Sequence, residues 1–131
     1  MIPGSKSDHP GFRKSFLFAM QGFRTAVTTE RNIKVMLAAG ACAVVAGLVV
    51  GLDLMSWAVV ILCCGVVIMA ELFNTAVETV VDLVSPEFHP LAGRAKDIAA
   101  AAVWVLSTLV AVVGVLVFVN AIFFEIGRAH V

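Results

Sequence analysis

Charged side chains are scarce in this chain. Only 14% of its 131 residues are Asp, Glu, Lys or Arg, whereas 61% are hydrophobic. Soluble domains carry roughly 25% charged and about 45–50% apolar residues, so a soluble fold of this length has too little polar surface to cover such a core. Formal net charge is zero, which gives no reason to expect a nucleic-acid partner. The length and composition indicate one membrane domain, residues 1–125.

Familiar motifs for soluble nucleotide binding, metal binding and secretion are missing. No GxxxxGK[ST], no GxGxxG after a strand and no HRD-like catalytic loop occurs. The three cysteines, Cys42, Cys63 and Cys64, lie in apolar runs without CxxC pairing, so we interpret them as packing residues. The polar N-terminal segment lacks the apolar region of a signal peptide, so it is expected to be retained.

Three apolar segments are long enough to cross a bilayer, which takes about 20 residues. They cover about residues 35–54, 56–84 and 98–124. Upstream, apolar and polar residues fall on separate faces at helical spacing over residues 12–28, which predicts an amphipathic helix lying in the membrane interface. The expected fold class is an all-α membrane protein with this interfacial helix followed by three transmembrane helices.

Lysine and arginine are missing from the first connection between spans, around Asp53. Six basic residues precede the first span, and Arg94 and Lys96 precede the third. Basic residues concentrate in cytoplasmic flanks, so the N-terminus and the second connection are predicted to be cytoplasmic. The C-terminus is then outside, where Arg128 belongs to residues 126–131, a segment that reads as a translated sequencing adapter and is expected to be a non-native tail.

The second span acquires polar residues before it ends. Glu71, Asn74, Glu78 and Asp82 follow one another at steps of three, four and four, which places them on one helix face, hereafter the polar stripe. Charge inside a span costs about 2.5–3.5 kcal/mol per residue at the bilayer centre, so such residues are functional candidates. Helix length puts Glu71 just below the cytoplasmic interface and Asp82 near water, where a merely solvated helix end is the alternative.

Further charged residues, Glu30, Lys96 and Asp97, are predicted at the same membrane face. Carboxylates beside a lysine suit magnesium, which binds through one or two carboxylates and substrate phosphates. Glu71, set deeper, is placed to deprotonate a lipid hydroxyl. The residues alone indicate an intramembrane carboxylate site facing the cytoplasm, and they leave open a proton- or ion-handling subunit and a non-catalytic helical subunit.

Two segments resemble a known family. Residues 71–97, ELFNTAVETVVDLVSPEFHPLAGRAKD, are similar to the signature ExxNxAxExxVD followed by HxLxxxAKD of the prokaryotic diacylglycerol kinase and undecaprenol kinase family. Residues 22–34, GFRTAVTTERNIK, resemble that family's segment before the first span. The resemblance implies a three-helix homotrimer of the bacterial cytoplasmic (inner) membrane, with sites shared between subunits, that phosphorylates a lipid alcohol with ATP and magnesium.

The resemblance also implies roles for the matching residues. Glu71 matches the catalytic base, and Asn74 and Arg24 are assigned with it to the lipid substrate. Glu30 and Glu78 match the carboxylates that hold the magnesium of the nucleotide. The other positions that match ATP contacts are Glu87, Phe88, His89, Lys96 and Asp97.

Two features of the resemblance are less specific. Asp82 matches an acid of the family site, and its role is left open. Residues 30–34 and 89–90 look more like the undecaprenol kinase branch, whereas Gly93-Arg94 looks like the diacylglycerol kinase branch, and Met36 stands where the former often has histidine. The matching residues favour undecaprenol as substrate, with diacylglycerol as the alternative.

Overall fold

Helices make up almost all of the described chain. The computed structural model describes residues 11–129, apart from the side chains at 125, 126, 128 and 129. The helices in this part are α1 (Phe12–Thr29), α2 (Arg31–Val50), α3 (Leu54–Val84) and α4 (Pro90–Ala129). By length and composition α2, α3 and α4, the last as far as Phe124, suffice to cross a membrane. The all-helical architecture with three apolar spans is therefore confirmed.

Two expectations about the ends of the chain stay predictions. Helix α1 covers Phe12–Thr29, close to the predicted residues 12–28. Its location in the membrane interface stays a prediction. Residues 130 and 131 of the predicted tail lie outside the described part.

Helix α3 is the central element of the bundle. It packs most extensively on α4 and also on α2, while α1 contacts both α2 and α3 near their polar ends. Little apolar surface is buried within the single chain; the buried apolar side chains are Ala26, Ile33, Leu52 and Val60. Most large apolar side chains of the spans face outward, as expected where hydrocarbon or another subunit replaces water.

A single extended residue, Glu30, separates α1 from α2. Its φ and ψ are −106° and 121°, and its backbone N–H donates to the Ala26 carbonyl at 2.8 Å, which closes α1. The Thr29 hydroxyl donates to the Thr25 carbonyl at 2.7 Å and so satisfies another group of the last turn. Ile33, fully buried at the start of α2, fixes the junction against the bundle.

The turn between α2 and α3 is set by Gly51 and Asp53. Gly51 has φ 76°, a left-handed conformation that suits glycine, and its N–H donates to the Gly47 carbonyl at 2.9 Å. The Ser56 N–H donates to Asp53 Oδ1 at 2.8 Å, an N-cap for α3. Helix α2 therefore ends at Val50, before the boundary expected near residue 54.

The connector between α3 and α4 is shorter than the apolar pattern suggests. Helix α4 begins at Pro90, upstream of the apolar run expected from residue 98. Proline is well suited to the first helical position because it has no N–H to satisfy there. The Leu91 N–H donates to His89 Nδ1 at 3.1 Å, so the histidine ring caps the new helix.

The close approach of α2 and α3 at Gly47 gives a stability prediction. A Cβ at Gly47 would lie 2.8 Å from Trp57 Cη2 and 2.9 Å from Leu52 Cδ1. Because overpacking typically costs about 1–3 kcal/mol, we expect Gly47→Ala to lower the free energy of unfolding in detergent by about that amount. Thermal unfolding measures it.

The matched control lies on the same helix. At Gly40 a Cβ would meet Cys64 Sγ at 3.7 Å, an ordinary contact, so Gly40→Ala should be neutral or slightly stabilising. Equal losses in the two variants would contradict the packing argument.

Candidate active site on the central helix

Burial decreases steadily along the polar stripe of α3. Glu71 is 2% exposed and Asn74 is 7% exposed, whereas Glu78 is half-buried and the Asp82 side chain is 64% exposed. This is the order expected from helix length. One helix face therefore leads from a carboxyl group enclosed by protein to one in contact with water.

Polar groups from two helices surround the Glu71 carboxyl. The amides of Asn74 on α3 and Asn32 on α2 interact with it, and the carboxyl groups of Glu78 and Glu30 are close enough to repel it. Asn74 Nδ2 donates to Glu78 Oε1 at 3.3 Å, while the buried Asn74 Oδ1 has no hydrogen-bond partner in the described part of the chain. Three carboxyl groups thus share one partly enclosed region, which a bound cation would stabilise.

An ion pair between Lys96 and Asp82 lies at the exposed end of the stripe. The Lys96 ammonium, on the first turns of α4, donates to Asp82 Oδ1, and Glu78 also attracts it. Lys96 follows Asp82 by fourteen residues, across the connector. The Lys96 ammonium therefore lies at the solvent end of the stripe, and the carboxyl groups of Glu30, Glu71 and Glu78 lie toward its buried end.

Some residues with implied roles do not reach the stripe of their own chain. No hydrogen bond or ion pair within the described residues joins the side chains of Glu87, Phe88 or Asp97 to it, and Phe88 is 92% exposed. The His89 ring lies on the α4 backbone as its cap. Arg24 is exposed on α1, where its carbonyl accepts from the Thr28 hydroxyl. Their implied roles stay predictions.

A largely apolar groove of about 920 Å³ lies between α1 and α3 beside the stripe. Phe18 and Phe23 line one side and Leu72 and Ala76 the other, and Glu30 lies on its wall. Ligand sites of this kind combine apolar walls with a few polar groups that fix orientation. The groove suits an apolar chain whose polar end lies near the carboxyl groups.

Several residues of this region do not stand out in the sequence. Asn32 reaches Glu71 only because α2 packs on α3, although its position two residues after Glu30 is a weak signal. Thr75 and Thr79 line the groove, and the buried Thr75 hydroxyl has no hydrogen-bond partner among the described residues. A threonine within a helix commonly bonds its own backbone, so the sequence does not mark it.

The carboxyl groups suit a metal that arrives with a nucleotide better than a resident ion. Within the described residues, no group of three or more His, Cys, Asp or Glu side chains is arranged to hold a metal. Glu30 and Glu78 both lie near Glu71, however, and two carboxylates are what magnesium commonly takes from a protein when phosphates supply further oxygens. The residues present therefore fit the expected magnesium.

Fold and site together define an all-helical membrane protein with an acidic site beside an apolar groove. The sequence model of the prokaryotic diacylglycerol kinase family matches residues 17–118, and the chain belongs to that family. It is 39% identical over 107 residues to undecaprenol kinase of Bacillus subtilis, covering 82% of this chain and 87% of the relative. These matches make the protein an enzyme, a prokaryotic lipid kinase.

Other relatives are named for a different lipid. The chain is 37% identical over 106 residues to diacylglycerol kinase of Synechocystis, which covers 80% of this chain and 61% of that protein. It is 33% identical over 96 residues to diacylglycerol kinase of Escherichia coli K12, and the match covers 73% of this chain and 78% of that protein.

The crowding of carboxyl groups predicts that the Glu71 charge lowers the stability of the fold. Glu71→Gln keeps the shape but removes charge from a buried position near Glu78 and Glu30, so we expect the free energy of unfolding to rise by about 1–2 kcal/mol. Thermal unfolding in detergent at pH 8 measures it. The exposed Glu87→Gln is the control and should leave the melting temperature unchanged; a Glu71→Gln protein that melts lower would contradict this account.

Proposed function

We propose that this kinase uses ATP and magnesium to phosphorylate undecaprenol. The γ-phosphoryl group of ATP is transferred to the hydroxyl group of the lipid at the cytoplasmic side of the inner membrane. The observation that supports this most directly is the buried Glu71 carboxyl, which lies near Glu30 on the groove wall and on the same helix face as the charged, solvent-facing end. The lipid hydroxyl comes from the bilayer and the nucleotide phosphate from water. A site with an apolar groove and a solvent-facing end can receive both.

Glu71 is proposed as the general base. As the lipid oxygen bonds to the γ-phosphorus, the bond from that phosphorus to the β,γ-bridging oxygen breaks and ADP leaves. An Oε of Glu71 accepts the hydroxyl proton, and the neighbouring amides of Asn74 and Asn32 hold the carboxyl in place. Burial excludes water, which would otherwise compete as a phosphate acceptor. Arg24, which is exposed on α1 and is not one of the groove-lining residues, is proposed to contact the lipid.

The phosphates of the nucleotide are proposed to lie at the solvent end of the polar stripe, near Glu78 and Lys96. Glu30 and Glu78 would hold the magnesium, which neutralises phosphate charge, and Lys96 would bind phosphate oxygens. The rest of the nucleotide is assigned to residues of the connector and the start of α4, which are Glu87, Phe88, His89 and Asp97. Phosphoryl transfer needs mainly such positioning and charge neutralisation.

A homotrimer is part of the proposal. Large apolar side chains stay exposed along α4, among them Trp104, Leu109 and Leu116. Within the described residues, the side chains of Glu87 and Phe88 make no hydrogen bond or ion pair with the stripe of their own chain, and Phe88 is exposed. Both observations agree with a site that a neighbouring subunit completes.

Diacylglycerol is the second candidate substrate. The relatives from Synechocystis and Escherichia coli are diacylglycerol kinases, and apolar groove walls accept either lipid. The Bacillus subtilis relative, which matches over more of both chains, favours undecaprenol. A proton- or ion-handling subunit has less support, because the carboxyl groups gather at one end of α3 beside Lys96 rather than along a transmembrane path.

Purified protein in detergent should transfer label from γ-³²P-ATP to undecaprenol in the presence of magnesium. Undecaprenol and diacylglycerol are offered separately at equal mole fraction, and labelled lipid is measured after extraction. A higher kcat/KM for undecaprenol supports the proposal. A higher kcat/KM for diacylglycerol would make diacylglycerol the preferred substrate and contradict the choice of undecaprenol. Absence of labelled lipid with both would refute both proposed substrates.

Substitution should separate the two halves of the site. Glu71→Gln is expected to bind magnesium-nucleotide with unchanged Kd but to lose transfer by about 10²–10⁴-fold, the usual contribution of a general base. Glu78→Gln should weaken nucleotide binding in magnesium without lowering the melting temperature, because it also removes the repulsion between Glu78 and Glu71. A Glu71→Gln protein as active as wild type would refute the assignment of the base.

A further inference from the structure

Asp82 is the one stripe residue to which neither the resemblance nor the proposed chemistry gives a role. Its carboxylate accepts from the Lys96 ammonium, and both side chains are substantially exposed. Exposed ion pairs contribute little to stability, because water screens the attraction and two side chains lose freedom. Clamping α3 to α4 is therefore a weak explanation, since these helices already share the largest interface in the bundle.

The location of the pair is more informative than its strength. Asp82 lies one helical turn beyond Glu78 on the same face, and the Lys96 ammonium is attracted by both carboxylates. Lysine is a compact charge on a flexible four-carbon stem, so without a fixed counter-charge its ammonium would sample many positions. Pairing with Asp82 restricts that ammonium to the region above Glu78.

We propose that Asp82 is a positioning residue that holds the Lys96 ammonium at the solvent end of the stripe, ready to receive the phosphate oxygens of the nucleotide. This inference rests on the proposed function, because it takes the phosphates to lie above Glu78. A charge held in place before the reaction stabilises developing phosphate charge without the cost of ordering it during the reaction. Asp82 acts through Lys96 and does not contact the reacting atoms.

The sign of the effect separates this role from a general electrostatic one. Removing a negative charge near an anionic substrate should, by field alone, tighten nucleotide binding and speed transfer. Loss of positioning has the opposite effect on the rate. For Asp82→Asn we expect kcat to fall by about tenfold with KM for ATP changed by less than about threefold. Asp82→Glu, which retains the carboxylate, should recover much of the rate.

A second measurement follows Lys96 without turnover. An acylating reagent at limiting concentration, with mass spectrometry of the peptides, gives the labelling rate of each lysine in the nucleotide-free protein. Asp82→Asn should increase labelling of Lys96 several-fold, and Asp82→Glu should not. Lys14, exposed on α1 and remote from the pair along the chain, is the internal control and should label equally in all variants.

Each alternative predicts a distinct result. A structural clamp predicts a lower melting temperature for Asp82→Asn with unchanged kcat. A metal ligand predicts that Asp82→Asn needs more magnesium for half-maximal rate. Either result, or unchanged Lys96 labelling, overturns the inference. A wild-type protein that phosphorylates no lipid refutes the proposed function instead, whereas an active wild type with an Asp82→Asn variant at least as fast refutes only the role of Asp82.

Discussion

The arrangement of the whole bundle depends on accommodating the buried carboxyl group of Glu71. An isolated carboxylate transferred out of water is strongly unfavourable, and in hydrocarbon it has no solvent to compensate it. The protein meets this cost with amide groups from α2 and α3, and with a helix long enough to reach from the apolar region to water. Because α3 extends from Leu54 to Val84, one rigid element holds both the buried carboxyl and the exposed Asp82. The remaining features of the site follow from how other helices reach this face.

The break at Glu30 is the second determinant of the site. One extended residue redirects the chain between α1 and α2, and both helices contact α3. That change of direction makes the wall of the groove and brings the Glu30 carboxyl to the stripe. Apolar and charged halves of the site therefore meet at Glu30.

The sequence predicted the helices and the stripe because both depend on local periodicity. Steps of three and four residues put Glu71 and Asp82 on one face however the bundle packs. The ends of the helices were less predictable: hydropathy marks the part of α4 suited to hydrocarbon, whereas the helix starts at Pro90, where proline and the His89 ring satisfy the first turn. The approach of Asn32 to Glu71 was not predictable, since it depends on contact between α2 and α3.

In the proposed function, the choice between undecaprenol and diacylglycerol would be made in the groove. Apolar walls distinguish long lipids weakly, because one methylene more or less is worth only about 1–3 kcal/mol and a long chain can continue into the bilayer. A groove that hydrogen-bonds a polar group discriminates far more strongly, since its own buried groups go unpaired when the wrong lipid binds. In this chain the polar groups on the α3 wall are Thr75 and Thr79, and the buried Thr75 hydroxyl has no partner among the described residues. The Thr79 hydroxyl already donates to the Thr75 carbonyl at 2.8 Å. In the proposed function, preference between a simple alcohol and a lipid with ester carbonyls is therefore expected to depend on the Thr75 hydroxyl more than on the apolar lining.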